Sequence, residues 1–339
     1  MSRAAIVGAS GYIGGELLRL LLGHPEVEVA AATSTRLAGK RVDGVHPNLR
    51  SLTDLVFIPP ERLDQYDVLF LAVPHKESMG RLAHYAQLAK LLVDLTGDFR
   101  LADPEVFERY YGVPHSAPDQ LGTFVRGLPE SHREELRGAD RISVPGCMAT
   151  AAILAVWPLA VDGLITGEVS VDARTGSSGS GTSAVQGNLH AERSGVLRVY
   201  APYGHRHEAE ISQATGMPVR MTATGIDAVR GVQVLCRVRL ADGVDERAVR
   251  ACYQRHYTDE PFVRVVAQRR GHYRLPEPKI LVGSNFCDVG FAVDGSRALL
   301  VGALDNLVKG GAGGAVQAMN VRQGWPERLG LEFPGLHPV

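Results

Sequence analysis

No segment of this sequence is long and apolar enough to cross a bilayer. The best candidate, Ala149–Val161, holds Thr150 and Pro158 and falls short of the ~20 apolar residues a spanning helix requires. An export signal is also missing. Arg3 precedes an apolar stretch, but Gly8, Ser10, Gly11, Gly14 and Glu16 interrupt it, so a cytoplasmic protein without membrane association is expected. Cysteine is scarce, and Cys147, Cys236, Cys252 and Cys287 form no Cys-x-x-Cys pair and have no histidine at zinc-finger spacing. Neither a disulfide scaffold nor a metal site is expected. An excess of either charge is lacking as well: 36 Lys and Arg stand against 37 Asp and Glu, a formal charge of −1 that disfavours nucleic acid as a partner.

What is present suits a compact globular chain of about two domains, with 339 residues, 45% of them hydrophobic and 22% charged. In the first half, short apolar runs alternate with helical stretches. Ala4–Val7, Val27–Ala32, Val68–Val73 and Leu91–Leu95 read as buried strands, with helices from Ile13 to Leu22 and from Glu77 to Ala89. Serial strand, helix, strand predicts a parallel sheet. Beyond about residue 165 the texture changes. Val232, Val234, Cys236, Val238 and Leu240 alternate with polar residues, as in a half-exposed antiparallel strand, and Val169–Val171, Phe262–Val266 and Val289–Val293 look similar. Asp245 can cap a helix carrying Ala248, Val249, Cys252 and His256. The predicted fold class is α/β, a Rossmann-type parallel-sheet domain followed by an α+β domain with a mainly antiparallel sheet.

Gly8-Ala9-Ser10-Gly11-Tyr12-Ile13-Gly14 spaces its glycines as G-x-x-G-x-x-G directly between the first strand and the first helix. Such a turn lets backbone approach a pyrophosphate, whose charge is met by the uncapped N–H groups of the helix; a tight turn with no ligand is the alternative. Gly8, Ser10, Gly11, Tyr12 and Ile13 are therefore candidate cofactor contacts. Where an NAD enzyme places an acidic residue after its second strand, this chain has Thr33-Ser34-Thr35-Arg36. Hydroxyls from Ser34 and Thr35 and the Arg36 guanidinium suit a 2′-phosphate, so NADP(H) is the expected cofactor.

Pro145-Gly146-Cys147 ends one strand and opens a helix running to about Leu159, and Cys147 falls where unpaired helical N–H groups favour a thiolate. Cys236 and Cys252 lie on apolar faces and read as structural. In Gly204-His205-Arg206-His207-Glu208-Ala209-Glu210, imidazole, guanidinium and carboxylate fall together, a set able to relay a proton and bind an anion, or else a solvated helix start. Two glycine segments, Arg174–Gly181 and Lys309–Gly314, are either linkers or places where backbone approaches a ligand.

Taken in order, the Gly8–Gly14 loop, Thr33–Arg36, Val73-Pro74-His75, Asp98-Phe99-Arg100-Leu101, Gly127-Leu128-Pro129-Glu130, Pro145-Gly146-Cys147, His205-Arg206-His207 and Asp305-Asn306-Leu307-Val308-Lys309-Gly310 resemble the N-acetyl-γ-glutamyl-phosphate reductase family, relatives of aspartate-semialdehyde dehydrogenase. The resemblance runs over essentially the whole chain. Met148-Ala149 and Glu208-Ala209 depart from the acetylglutamyl-phosphate enzymes, which usually have Tyr-Pro or Tyr-Ala after the nucleophile and Thr-Pro before the Glu. The stretch Ala191–His207 is similar instead to a subgroup that reduces an aminoadipyl phosphate tethered to the acidic carrier protein LysW in lysine biosynthesis. Some members of that subgroup take the glutamyl homologue for arginine biosynthesis.

The resemblance implies a Cys147 thioester reduced by NADPH to a semialdehyde, with His205 as acid/base and Glu210 orienting the cluster. It leaves His207 as the second choice for the proton. Arg100, Arg206 and His207 become candidate substrate contacts, and Asn306, taken to start the last helix, is expected against the nicotinamide. The implied domains are 1–146 with 306–339 for NADP and 147–305 for catalysis, substrate and oligomerisation, in a homodimer or homotetramer. Arg193, Arg198, Arg206 and the run from Arg264 to Lys279 could face an acidic carrier or simply be solvated. A non-catalytic NADP-binding regulator is the alternative from another class.

Overall fold

The computed structural model describes Met1–Pro338. It divides into two compact units, Met1–Pro145 with Gly311–Glu332, and Gly146–Gly310 with the tail from Phe333. No helix among the described residues is long and apolar enough to cross a membrane.

The first unit comprises β1 (Ser2–Val7), α1 (Tyr12–Leu21), β2 (Val27–Ala32), α2 (Val42–Val45), β3 (Tyr66–Leu71), α3 (Ser78–Leu88), β4 (Ala89–Asp94), α4 (Pro104–Tyr111), β5 (Val125–Arg126), α5 (Pro129–Arg137) and β6 (Arg141–Ser143). Its six strands are ordered β2-β1-β3-β4-β6-β5, and each adjacent pair is parallel. The inner strands end in runs with no exposed surface, such as Ala4-Ala5-Ile6 and Val68-Leu69-Phe70-Leu71, because helices cover both faces of such a sheet. The strand order reverses between β1 and β3. In open α/β sheets the crevice outside the carboxyl ends at that point is where ligands bind, and the Gly8–Gly14 loop stands there.

The second unit runs α6 (Cys147–Val161), β7 (Ile165–Thr175), α7 (His190–Arg193), β8 (Leu197–Ala201), α8 (His207–Thr215), β9 (Val219–Ile226), β10 (Val232–Leu240), α9 (Glu246–Tyr257), β11 (Val263–Val265), β12 (Cys287–Asp294) and β13 (Arg297–Leu304). Its seven-stranded sheet is ordered β11-β12-β13-β10-β7-β9-β8. Most pairs are antiparallel, while β11 with β12 and β7 with β9 are parallel. The half-exposed reading of Val289–Val293 is corrected: residues 287–291 are buried throughout. Asp245 caps α9 as its position suggests, its carboxylate accepting from Ala248 N at 2.9 Å.

The helix that carries Cys147 is apolar all round and buried, and it packs on β7, β10, β12 and β13. Pro158 cannot donate the usual helical bond to the Leu154 carbonyl. The Tyr257 hydroxyl on α9 takes that acceptor at 2.7 Å, and Tyr253 bonds the next carbonyl, Ala155 O. The penalty of an interior proline is thereby met by a neighbouring helix.

The last helix, α10 (Gly313–Gln323), rejoins the first unit. The expected placement of Asn306 at its start is corrected. Between β13 and α10 the chain makes a wide turn over Val308–Ala312, broken by non-helical geometry at Gly311, so α10 begins later and Asn306 remains in the second unit.

Candidate active site

In the first unit the glycines of the loop have different jobs. Gly8 has φ +81°, and a Cβ there would lie 2.5 Å from the Ala72 carbonyl oxygen beyond β3; a Cβ on Gly14 would lie 2.6 Å from Gly8 O. Both are required by the loop's own packing. A Cβ on Gly11 would meet only Gly8 O at 3.7 Å, so the open approach is at Gly11, which also begins α1 without a side-chain cap. Tyr12 at the first helical position is exposed and Ile13 half-buried. The loop is braced by His46, a residue nothing in the sequence singled out: its Nε2 donates to Ala9 O at 2.9 Å and its ring fills the space beside Gly15.

Ser34 is buried, with its Oγ 2.9 Å from Ser10 Oγ and accepting from Leu37 N at 3.2 Å. It steadies the loop, whereas Thr35 and Arg36 are exposed. The open face at Gly11, the uncapped helix start and the cationic end of β2 fit a dinucleotide carrying an extra phosphate.

Arg100 is engaged within its own unit. Nε donates to Val144 O at 2.8 Å and a terminal nitrogen to Leu95 O at 3.0 Å, fastening the ends of β4 and β6. Beside it Asp98 accepts from Lys76 N, Ser78 Oγ and Met79 N, holding Lys76 at φ +74° before α3. Burial and the neighbouring Asp98 charge push the Asp94 carboxyl up to about 7.

In the second unit Gly146 precedes α6 without a side-chain cap, and Cys147 is half-buried at its first position. A Cβ added to Gly146 would overlap the His207 imidazole. Glu210 ties the two residues together: Oε2 accepts from Gly146 N at 2.8 Å, and Oε1 lies 3.8 Å from His207 Nε2. His205 stacks edge-on against His207 at 4.5 Å between centroids and against Tyr200 at 6.0 Å. Its Nδ1 accepts from His207 N at 3.2 Å, so Nε2 carries the proton of the neutral ring. From behind, a Cβ on Gly310 would stand 2.5 Å from Cys147 Cβ. The glycine run at 309–314 thus admits the cysteine itself.

Tyr200, which the sequence reading passed over, belongs to this group. Burial and then the Cys147 charge push its phenol up to about 12, and its hydroxyl reaches Met148 Sδ at 3.9 Å. Asn306 ties two loops together, with Nδ2 donating to Ser178 Oγ at 2.9 Å and Oδ1 accepting from Gly231 N at 2.8 Å. Cys236 and Cys252 are buried thiols pushed up to about 12 by desolvation. Cys252 lies with Asp162 and His256 in a group of metal-ligating type. There Arg255 and His256 already hold the two Asp162 oxygens at 2.6 and 3.1 Å.

A parallel-sheet unit with a glycine loop, followed by a unit opening on a helix-start cysteine beside paired histidines, defines a nucleotide-dependent dehydrogenase that works through a thiol. Residues 3–139 match the model of the semialdehyde dehydrogenase NAD-binding domain, and residues 147–306 that of the semialdehyde dehydrogenase dimerisation domain. The chain belongs to the semialdehyde dehydrogenase family. It is 49% identical over 340 residues to the [LysW]-L-2-aminoadipate 6-phosphate reductase of Deinococcus radiodurans, covering 99% of this chain and 98% of that one. It is 47% identical over 341 residues to a putative [LysW]-L-2-aminoadipate/[LysW]-L-glutamate phosphate reductase of Thermococcus kodakarensis, covering both chains in full. The fold is shared with aspartate semialdehyde dehydrogenase II of Vibrio cholerae, with a TM-score of 0.72 at 17% identity over 95% of this chain and 98% of that one. The Candida albicans aspartate semialdehyde dehydrogenase, solved with NADP, gives a TM-score of 0.65 at 16% identity over the same shares.

Proposed function

We propose that this chain is a cytoplasmic NADPH-dependent reductase that converts a LysW-linked aminoadipyl 6-phosphate to its semialdehyde in lysine biosynthesis. The observation that carries the reading is the bracing of the Cys147 turn by His207 and Glu210 through Gly146. A carboxylate and an imidazole committed to holding one helix-start cysteine serve no need of packing.

Cys147 Sγ attacks the acyl carbon, the C–O bond to phosphorus breaks, and phosphate leaves with the electron pair, giving a thioester. NADPH, when bound, supplies the hydride that reduces it. His205 offers the proton on Nε2 to the carbonyl oxygen as negative charge gathers there, its Nδ1 being held by the His207 amide. Collapse re-forms the carbonyl as aldehyde and returns the thiolate to the helix start. Gly8, Gly11 and the start of α1 would hold the pyrophosphate, and Thr35 and Arg36 the 2′-phosphate.

The glutamyl homologue is kept as a second substrate because the Thermococcus kodakarensis relative bears both names. An acidic carrier would meet exposed Arg198, Arg269, Arg270, Arg274 and Lys279. Arg264 drops out of that set, since it pairs with the buried Asp288 at 2.6 Å.

The test compares carrier-linked aminoadipyl phosphate, carrier-linked glutamyl phosphate and the free acetylated phosphate as substrates. Carrier-linked turnover should dominate and fall steeply with added salt, while NADPH binding changes less. Equal turnover of the free substrate removes the carrier from the reading. Failure of all three, together with no phosphate-dependent reduction of NADP by the semialdehydes, would return the protein to a binding role.

A further inference from the structure

Arg193 is an unusual cation for this fold. It ends the short α7 and reaches across the ends of β7 and β9, where a terminal nitrogen occupies the space a side chain on Gly225 would need, 2.7 Å from that Cβ position. Its printed hydrogen bond is a long one, from the other terminal nitrogen to Thr175 O at 3.4 Å, and its buried Nε has no hydrogen-bond partner. No ion pair joins it to a carboxylate among the described residues. A guanidinium has five donors in a planar fork, and withdrawing it from water without an anion is costly. Burial and the nearby Arg198 charge both work against its own charge, a cost that an anion would relieve.

Its surroundings say which anion. The Tyr200 phenol feels the charges of Cys147, Arg206 and Arg193 together, so these groups share one neighbourhood. A thioether is a poor acceptor for the Tyr200 hydroxyl, leaving that O–H available to a better one.

We propose that Arg193, assisted by the Tyr200 hydroxyl, is the receptor for the phosphoryl group of the substrate beside Cys147. The proposal rests on the acyl-phosphate reading above and adds where the leaving group is held. As the Sγ–C bond forms and the C–O bond breaks, the electron pair goes to the departing phosphate, and the guanidinium fork meets two of its oxygens. In the reverse direction the same fork presents phosphate to the thioester.

The probe is inorganic phosphate, and the readout is protection of Cys147 from iodoacetamide, which needs no turnover. Phosphate should slow alkylation in the unaltered protein. Arg193→Met should need about tenfold more phosphate for the same protection, the loss of one charge-assisted contact, with NADPH binding unchanged. Gly225→Ala should do likewise, because its methyl displaces only the end of a flexible side chain. Arg193→Lys should recover most of the protection. Phosphate protecting Arg193→Met as well as it protects the unaltered chain, or failing to protect the latter at all, overturns the proposal. If protection behaves as expected while no semialdehyde shows phosphate-dependent NADP reduction, the subsite stands and the reductase reading fails.

Discussion

The imidazole of His207 occupies the space that a side chain on Gly146 would fill, one residue before Cys147. A histidine on α8 is thereby used as packing for the turn that aims the thiol, and Glu210 fixes the distance by accepting the Gly146 amide proton at 2.8 Å. Gly146→Ala should keep the fold and NADPH binding yet lower turnover about a hundredfold, since misplacing a reacting group by about 1 Å costs that much. Iodoacetamide labelling of Cys147 should slow in parallel. An unchanged kcat would mean that the turn has room the structure does not show.

The same geometry separates the two histidines. His205→Asn removes a proton at Nε2 and should lower kcat by about 10² or more with little change in NADPH affinity. His207→Asn withdraws the brace, so it should alter both kcat and the alkylation rate of Cys147. Cys147→Ala should bind NADPH and release no phosphate, with residual turnover below about a thousandth. If only His207→Asn lowers kcat, the two roles are exchanged.

What could be read from the sequence and what could not divides along a physical line. The Gly8–Gly14 loop and the Pro145-Gly146-Cys147 turn are legible because their chemistry is local, residues in a row forcing a turn before a helix. The His205–Glu210 stretch is legible as a group, but not the partner of each member. That Glu210 holds Gly146, that Gly310 makes room for Cys147 and that Arg193 lies on Gly225 are contacts between distant segments of chain, invisible to spacing. Asn306 shows the converse error. A helix was expected directly after Asp305, but that buried carboxylate accepts from Leu307 N and Val308 N and pairs with Arg230 at 3.1 Å, opening a wide turn instead.

Cofactor choice should turn on Arg36. It is exposed at the end of β2 beside Thr35, with no acidic residue where one would select NAD. Arg36→Ala should raise KM for NADPH about tenfold or more and leave KM for NADH within about twofold, the difference being one charge-assisted contact to a 2′-phosphate. The ratio of kcat/KM for the two nucleotides measures it. A ratio unmoved by the substitution would shift the discrimination to other residues of the loop.

Asp94 should make stability depend on pH in a direction opposite to the usual carboxylate. It ends β4 fully buried, and desolvation together with the Asp98 charge raises its carboxyl from 3.8 to about 7. Because the folded value exceeds the unfolded one, the folded chain holds the extra proton between about pH 4 and 7. Stability from this residue is complete below that window and is lost as pH rises through it, by about 1.4 kcal/mol for each pH unit. Asp94→Asn keeps an acceptor for Thr96 N and cannot ionise, so its urea midpoint should fall less than the unaltered protein's as pH climbs from 4 to 7. Parallel midpoints for the two proteins across that range would place the titration elsewhere.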